Sequence, residues 1–150
     1  MGKVHTLVLT GYGVNSHLET AHAARLAGSE RTDIVHFSEL VAARIRLEDY
    51  HFLIFPGGFL DGDDLGAGHA ASIRWRYMED ASGVPLLEHL NAFLKDGKLL
   101  LGICNGFQLL VKLGALPSLD GARCVSLPIH HRKNRRLPGE IVKKFPRRFR

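Results

Sequence analysis

Residues 98–112 read KLLLGICNGFQLLVK, and this stretch decides the fold. Its first half is a short apolar run typical of a buried strand, and Asn105 to Lys112 has the apolar spacing of a helix. Gly102, Cys104 and Gly106 occupy the joint between them. This is the plan of the G-x-S-x-G nucleophile elbow, with cysteine in place of serine. We therefore predict a strand, a sharp turn that carries Cys104, and a helix.

The chain before this stretch alternates strand-like and helix-like segments. Three more strands are predicted, at Lys3 to Thr10, Thr32 to Phe37 and His51 to Phe55. Helices are predicted after the capping residues Ser16 and Ser38, from Asp64 to Glu79, and from Pro85 to a stop at Gly97. The order βαβαβααβα indicates an α/β protein with a doubly wound, mostly parallel sheet and flanking helices. Such sheets bind ligands at the carboxyl ends of their strands.

Composition excludes several classes of protein. The chain has 150 residues, 45% of them hydrophobic, which suits one soluble domain. Its longest apolar stretches are too short to span a bilayer, so we expect no membrane association. The two cysteines, Cys104 and Cys124, do not form a disulfide framework, and the N-terminus has no signal-peptide pattern. A reducing cytoplasm is therefore the expected location.

Charge is divided unevenly along the chain. Residues 1–121 carry 10 Lys and Arg against 14 acids, whereas residues 122–150 carry 10 against one acid, Glu140. The net charge of +5 is therefore a property of the tail, and overall basicity does not indicate a nucleic-acid binder. The chain thus divides into an acidic body over 1–121 and a basic tail over 122–150, which we expect to be disordered or aberrant.

Cys104 is the candidate nucleophile. Free N–H groups and the positive end of the following helix would favour its thiolate, although a buried cysteine often serves only as a small apolar side chain. The coincidence of strand, elbow and helix favours the nucleophile. Gln108 lies one turn along the same helix face, where its amide could reach a ligand held at Cys104 or could simply be solvated.

Acyl transfer also needs hydrogen-bond donors for the developing oxyanion. The run Pro56-Gly-Gly-Phe59 ends the third predicted strand and can supply backbone N–H groups. Gly58 N–H and Asn105 N–H are the candidate donors. The alternative is a plain turn, which is weakened by the expectation that this strand neighbours the nucleophile strand.

No histidine is a convincing general base. His17 and Glu19 match an H-x-E pattern, but residues two apart on a helix point to different faces. His130 and His131 lie in the basic tail with no following carboxylate to orient them.

Three segments together resemble a known family. Residues 11–19 (GYGVNSHLE), 55–68 (FPGGFLDGDDLGAG) and 101–110 (LGICNGFQLL) look like the glutaminase subunit of phosphoribosylformylglycinamidine synthase, a class I (triad) glutamine amidotransferase. The resemblance runs from about residue 4 to Gly121. It implies a partial class I glutamine amidotransferase domain over 1–121, with the flavodoxin-like fold and its C-terminal part missing.

The resemblance also implies a function. L-Glutamine would be hydrolysed through a cysteinyl thioester on Cys104, with Gly58 and Asn105 as oxyanion donors and Gly57, Phe59 and Gln108 in the glutamine pocket. Ammonia would pass to a partner synthetase subunit, with a small accessory subunit as a further partner, to make formylglycinamidine ribonucleotide in purine synthesis. The chain itself would bind no cofactor and no metal, because ATP and Mg²⁺ are used by the synthetase.

The sequence departs from the family near its end. The family carries its catalytic His and Glu as a C-terminal H-x-E that this chain lacks, and from about residue 128 the sequence becomes Arg-rich. We expect impaired glutaminase activity and interpret the end as frameshifted or otherwise aberrant. The alternative is a catalytically dead binding module whose tail contacts RNA or an acidic partner, and a third reading is another Cys-elbow hydrolase of the same sheet type.

Overall fold

The computed structural model describes residues 3–59, 61–62, 66 and 68–116, and the predicted tail with Cys124, His130 and His131 lies outside these residues. The strands are β1 His5–Thr10, β2 Arg31–His36, β3 Phe52–Phe55 and β4 Leu99–Gly102. The helices are α1 His17–Leu26, α2 Phe37–Val41, α3 His69–Tyr77, α4 Leu86–Lys95 and α5 Asn105–Leu113, with a 3₁₀ turn at Leu47–Asp49. The predicted order of elements and the α/β class are confirmed.

All four strands are parallel, in the order β2-β1-β3-β4. Phe55, the last residue of β3, lies opposite Gly102, the last residue of β4. The ladder continues for one more bond, because Ile103 N–H donates to Phe55 O at 3.0 Å. The segments that leave β3 and β4 therefore emerge side by side, and these are the two segments that carry the predicted site.

The two faces of the sheet are covered differently. One face packs on α3, α4 and α5 through a large apolar cluster, in which Trp75 contacts Phe55 at the sheet end and Leu90 is fully buried. On the other face, Val8 and Ile54 pack against two alanines of α1, Ala21 and Ala24. Central strands buried on both faces read as continuous apolar runs, which is why strict alternation is missing from their sequence.

Helix starts were the least accurate predictions. Ser38 does not cap α2; it lies inside the helix, and the His36 ring accepts a hydrogen bond from its N–H at 3.2 Å. The helix predicted from Asp64 to Glu79 begins at His69. It ends at Tyr77, since Met78 is extended and Glu79 pairs with Pro85. Sequence patterns mark apolar faces well, but a polar cap depends on which neighbouring side chain reaches the first N–H groups.

Ser16 immediately precedes α1, as predicted, but its side chain does not cap the helix. Its hydroxyl oxygen instead accepts a hydrogen bond from Gly57 N–H at 3.1 Å, across the top of the sheet. Within the described ranges, no helix has the length and apolarity needed to cross a membrane.

Candidate active site

Cys104 lies on a strained turn between β4 and α5. Its φ of 52° and ψ of −116° are unusual for a residue with a side chain, and its side chain is exposed. Such backbone geometry costs about 1–3 kcal/mol and persists only where the surroundings enforce it. The thiol stands at the N-terminal end of α5, where N–H groups and the helix dipole favour negative charge. The predicted sharp turn between strand and helix is thus present, and the role of Cys104 as a nucleophile stays a prediction.

The two glycines of the elbow are required by close backbone packing. A Cβ on Gly102 would lie 2.7 Å from Phe107 N and Cα, in the first turn of α5. A Cβ on Gly106 would lie 2.1 Å from Phe55 O, at the end of β3. Real Cβ atoms essentially never approach other atoms so closely. The glycines therefore let the strand turn directly into a helix that packs onto its neighbouring strand.

The Gly57-Gly58 segment lies against the elbow. A Cβ on Gly57 would be 3.2 Å from the Cβ of Cys104, so the two backbones are in contact at this point. Gly58 has a φ of 134°, and a Cβ there would be 2.1 Å from Gly13 O. The loop that follows β1 thus packs directly against the backbone of this segment.

Hydrogen bonds hold this segment at almost every polar backbone group. Gly57 N–H donates to Ser16 Oγ, and Gly57 O accepts from Asn15 N–H at 3.2 Å. Gly58 O accepts from Asn105 Nδ2 at 2.7 Å. The Gly58 N–H makes no hydrogen bond to any described residue. The Gly58 N–H, which we predict donates to an oxyanion, is thus not occupied by a bond to any described residue.

All six predicted site residues line one open cleft of about 460 Å³ above the ends of β3 and β4. Three residues that sequence reasoning did not assign to the site also line it: Asn15, Ser16 and Ile103. The first two could have been found from their position in the loop that follows β1, because β1 is the strand that borders β3. The predicted residues are Gly57, Gly58, Phe59, Cys104, Asn105 and Gln108.

Phe59 is 64% exposed at the cleft and is anchored by its N–H, which donates to Gly13 O at 2.7 Å. Gln108 N–H donates to Cys104 O at 3.1 Å in the first turn of α5, so its side chain projects from the same end of that helix as the thiol. Asn105 is only 2% exposed. Their roles toward a ligand stay predictions.

No histidine lines the cleft in the part of the chain that the structure describes. His17 and Glu19, the H-x-E match, are also absent from its lining. His89 does pair with a carboxylate, because its Nε2 lies 2.9 Å from Asp80 Oδ2. That pair lines a different cavity, beside Trp75. Among the described residues, the lining of the cleft thus offers Cys104 no histidine that could act as a general base.

The contacts of the Asp80 carboxylate indicate a structural role in its loop. It accepts hydrogen bonds from Val84 N–H at 3.0 Å and Ser82 N–H at 2.8 Å, in addition to the contact with His89. These contacts, the Val84 N–H foremost, hold the pKa of Asp80 below its ordinary value.

No group of three His, Cys, Asp or Glu within the described ranges could hold a metal ion.

Comparisons with known proteins point to one family. A family model described as a CobB/CobQ-like glutamine amidotransferase domain matches residues 3–136, a range that extends beyond Gly121. A protein from Methanococcus maripaludis named phosphoribosylformylglycinamidine synthase subunit PurQ is 44% identical over 131 residues, which is 86% of this chain and 45% of the relative. A protein of the same name from Dehalococcoides mccartyi is 48% identical over 117 residues, 78% of this chain and 43% of the relative.

One solved structure, titled as PurLQS from Thermotoga maritima, has a TM-score of 0.59 and 29% sequence identity. The match covers 77% of this chain and 46% of that chain. The chain spans less than half the length of the curated relatives it matches.

Proposed function

We propose a function from one premise: the chain belongs to the family of CobB/CobQ-like glutamine amidotransferase domains. In this proposal Cys104 is the nucleophile that attacks the side-chain amide of glutamine. The observation that carries it is the close approach of the strained, exposed Cys104 to the Gly57-Gly58 segment, whose Gly58 N–H makes no hydrogen bond to any described residue. This is the arrangement that acyl transfer requires.

The chemistry follows from the charges that develop. The Cys104 thiolate adds to the amide carbon of glutamine, and the carbonyl oxygen becomes an oxyanion that accepts hydrogen bonds from Gly58 N–H and Asn105 N–H. When this intermediate collapses, the C–N bond breaks, a proton is delivered to the departing nitrogen, and ammonia leaves a γ-glutamyl thioester on sulfur. Water then hydrolyses the thioester, releasing glutamate and regenerating the thiol.

Binding of glutamine is proposed to use the other residues of the cleft. Gln108 projects from the first turn of α5 and can bond the polar end of the substrate, while Gly57 lets the chain pass close to the thiol. Phe59 is exposed beside these groups and can cover the apolar methylenes of glutamine. A pocket of this type selects an amide of a given length rather than amides in general.

Proton transfer is the weak point of the site in the described residues. Ammonia is a poor leaving group unless its nitrogen is protonated, and no described histidine lines the cleft. We therefore propose that full activity depends on a base and an acid supplied from outside the described residues, and that without them glutamine is turned over slowly.

The ammonia is proposed to serve a synthetase partner. Relatives of this chain are named as a subunit of phosphoribosylformylglycinamidine synthase, and the similar solved structure is titled PurLQS. The partner would use ATP and Mg²⁺ to convert formylglycinamide ribonucleotide to the amidine in purine synthesis, and a small accessory subunit would complete the complex. A reducing cytoplasm suits this step, because it keeps the Cys104 thiol free.

The test is glutamate release from glutamine by the purified chain, with and without the synthetase, ATP and formylglycinamide ribonucleotide. A Cys104→Ala variant gives the background, and a Ser82→Ala variant, changed in an exposed loop away from the cleft, controls for handling. We expect Cys104-dependent turnover that the partner accelerates. Turnover that is unchanged in Cys104→Ala, or no Cys104-dependent turnover even with the complete partner complex, would overturn the proposal.

A further inference from the structure

We propose that the side chains of Ser16 and Asn105 are positioning residues, which hold the Gly57-Gly58 segment so that the Gly58 N–H stays available at Cys104. This inference rests on the proposed acyl-transfer function and adds two side chains to it. Both side chains bond the backbone of the segment, Ser16 at Gly57 N–H and Asn105 at Gly58 O, and neither bond involves the reacting atoms.

Ser16 holds the segment from the side of β1. Its Oγ accepts from Gly57 N–H at 3.1 Å and lies 3.6 Å from the position of a Cβ on Gly57, which itself is 3.2 Å from the Cys104 Cβ. A serine before a helix usually caps that helix, and this hydroxyl does not. The side chain is used on the loop instead, next to the nucleophile.

Asn105 holds the segment from the side of α5. Its Nδ2 donates to Gly58 O at 2.7 Å, and the residue is only 2% exposed, so water competes little for this bond. Asn105 directly follows Cys104 in the chain. Gly58 and Asn105 each carry one of the two predicted oxyanion donors. The bond therefore links these two residues directly, beside the thiol of Cys104.

Glycine makes these bonds necessary. Gly57 and Gly58 lack side chains that could pack, and glycine has more backbone freedom than any other residue. The Gly58 N–H belongs to the Gly57–Gly58 peptide, whose carbonyl also accepts from Asn15 N–H, and the Ser16 and Asn105 bonds hold the peptides on either side of it. Without these two bonds the flanking peptides could tilt, and the Gly58 N–H would shift from the place where an oxyanion forms. Loss of one oxyanion donor costs about 10²–10³ in kcat, and misplacement by about 1 Å costs on the order of 10²-fold. We expect loss of either side chain to cost at least about tenfold in acylation.

The test compares two reactions of the same thiol in the full chain, with Cys124→Ser as the common background because it leaves one cysteine. Acylation by p-nitrophenyl acetate forms an oxyanion, and its rate is followed as Cys104-dependent release of p-nitrophenolate. Alkylation by iodoacetamide displaces iodide at a saturated carbon and forms no oxyanion. Both rates are taken on the pH plateau, where the thiol is fully ionised, so that a change in thiol ionisation does not enter.

The variants are Ser16→Ala, Ser16→Thr and Asn105→Ala, with Ser82→Ala as a matched control in an exposed loop. We expect acylation to fall at least about tenfold in Ser16→Ala and Asn105→Ala while alkylation stays within about twofold, and Ser16→Thr to restore acylation because it keeps the hydroxyl. Circular dichroism checks folding. If Asn105→Ala does not fold, the pair Ser16→Ala and Ser16→Thr decides.

Two results would overturn the inference: equal losses of acylation and alkylation, which would place the effect on the thiol itself, or unchanged acylation in Ser16→Ala. Glutamine is absent from these assays. A chain that shows the expected pattern here but never hydrolyses glutamine with its partner would refute the proposed function and leave the positioning roles intact.

Discussion

The substitution Gly106→Ala tests whether the elbow depends on close backbone packing. A Cβ at this position would lie 2.1 Å from Phe55 O and 2.7 Å from both the Phe55 carbonyl carbon and Pro56 O. Ordinary contact with a Cβ begins at 3.4 Å, and every atom contacted here belongs to the backbone. The start of α5 would have to move from the end of β3 by roughly 1 Å, because interiors packed at native density do not absorb such an overlap.

Two opposing effects set the magnitude. In an unhindered helix interior, replacing glycine by alanine stabilises by about 0.5–1 kcal/mol. Overpacking costs about 1–3 kcal/mol and occasionally more, and the upper end applies because a rigid backbone cannot rotate away as a side chain can. The cost of overpacking exceeds the gain in helix propensity, so we expect Gly106→Ala to lower the free energy of unfolding by about 2 kcal/mol. The same movement separates Cys104 from the Gly57-Gly58 segment.

The assay is urea denaturation followed by circular dichroism, with acylation of Cys104 by p-nitrophenyl acetate measured in parallel. Gly11→Ala is the matched control, because a Cβ there would meet only the Phe37 Cβ at 3.7 Å, an ordinary contact, and Gly11 has no positive φ. We expect the control to stay within about 1 kcal/mol of the unaltered chain. A Gly106→Ala variant as stable and as readily acylated as the control would refute the packing argument for the elbow.

Three further outcomes are expected. Trp75→Ala should lower the free energy of unfolding by about 3–5 kcal/mol in urea denaturation, because this 2%-exposed ring packs on Phe37 and Phe55 and leaves a cavity when truncated. Asp80→Asn should reduce the loss of stability in acid. The lowered pKa of Asp80 contributes stability that is present above the pKa of the unfolded state and is lost as the pH falls through the pKa of the folded state. The free energy of unfolding, measured from pH 6 to 2, should therefore depend less on pH in the variant. Cys104 in the isolated chain should be acylated by p-nitrophenyl acetate much faster than by glutamine, because p-nitrophenolate leaves without a proton and ammonia does not; equal rates, measured by product release, would contradict this.

Much of the fold could be predicted because it follows from apolar patterning. The run at 98–103 and the spacing that follows Asn105 placed a strand and a helix within a residue or two of their observed bounds. Helix starts were harder, since they depend on particular side chains. At α2 the ring of His36 accepts the Ser38 N–H, and no propensity scale favours histidine in that role over the serine nearby.

The site could be predicted in outline because parallel strands end at the same edge of a sheet. Once β3 and β4 are neighbours, the Gly57-Gly58 segment and Cys104 must meet. The use of Ser16 could not be predicted, because a serine before a helix has a local role available and only the three-dimensional fold shows that it reaches Gly57 instead. Likewise, the sequence gives no means of foreseeing that the Asn105 amide reaches Gly58 O.

The chemistry of the site divides between what the sheet fixes and what it does not. The candidate nucleophile and both candidate oxyanion donors lie on segments that follow adjacent strands, so the register of β3 with β4 sets their separation. Attack on a carbonyl needs only these groups. Departure of ammonia needs a proton as well, and among the described residues neither a histidine nor a carboxyl group lines the cleft. In the proposed function, the groups that would stabilise charge on oxygen therefore lie at the ends of these two strands, whereas the groups that would move protons would come from outside the described residues.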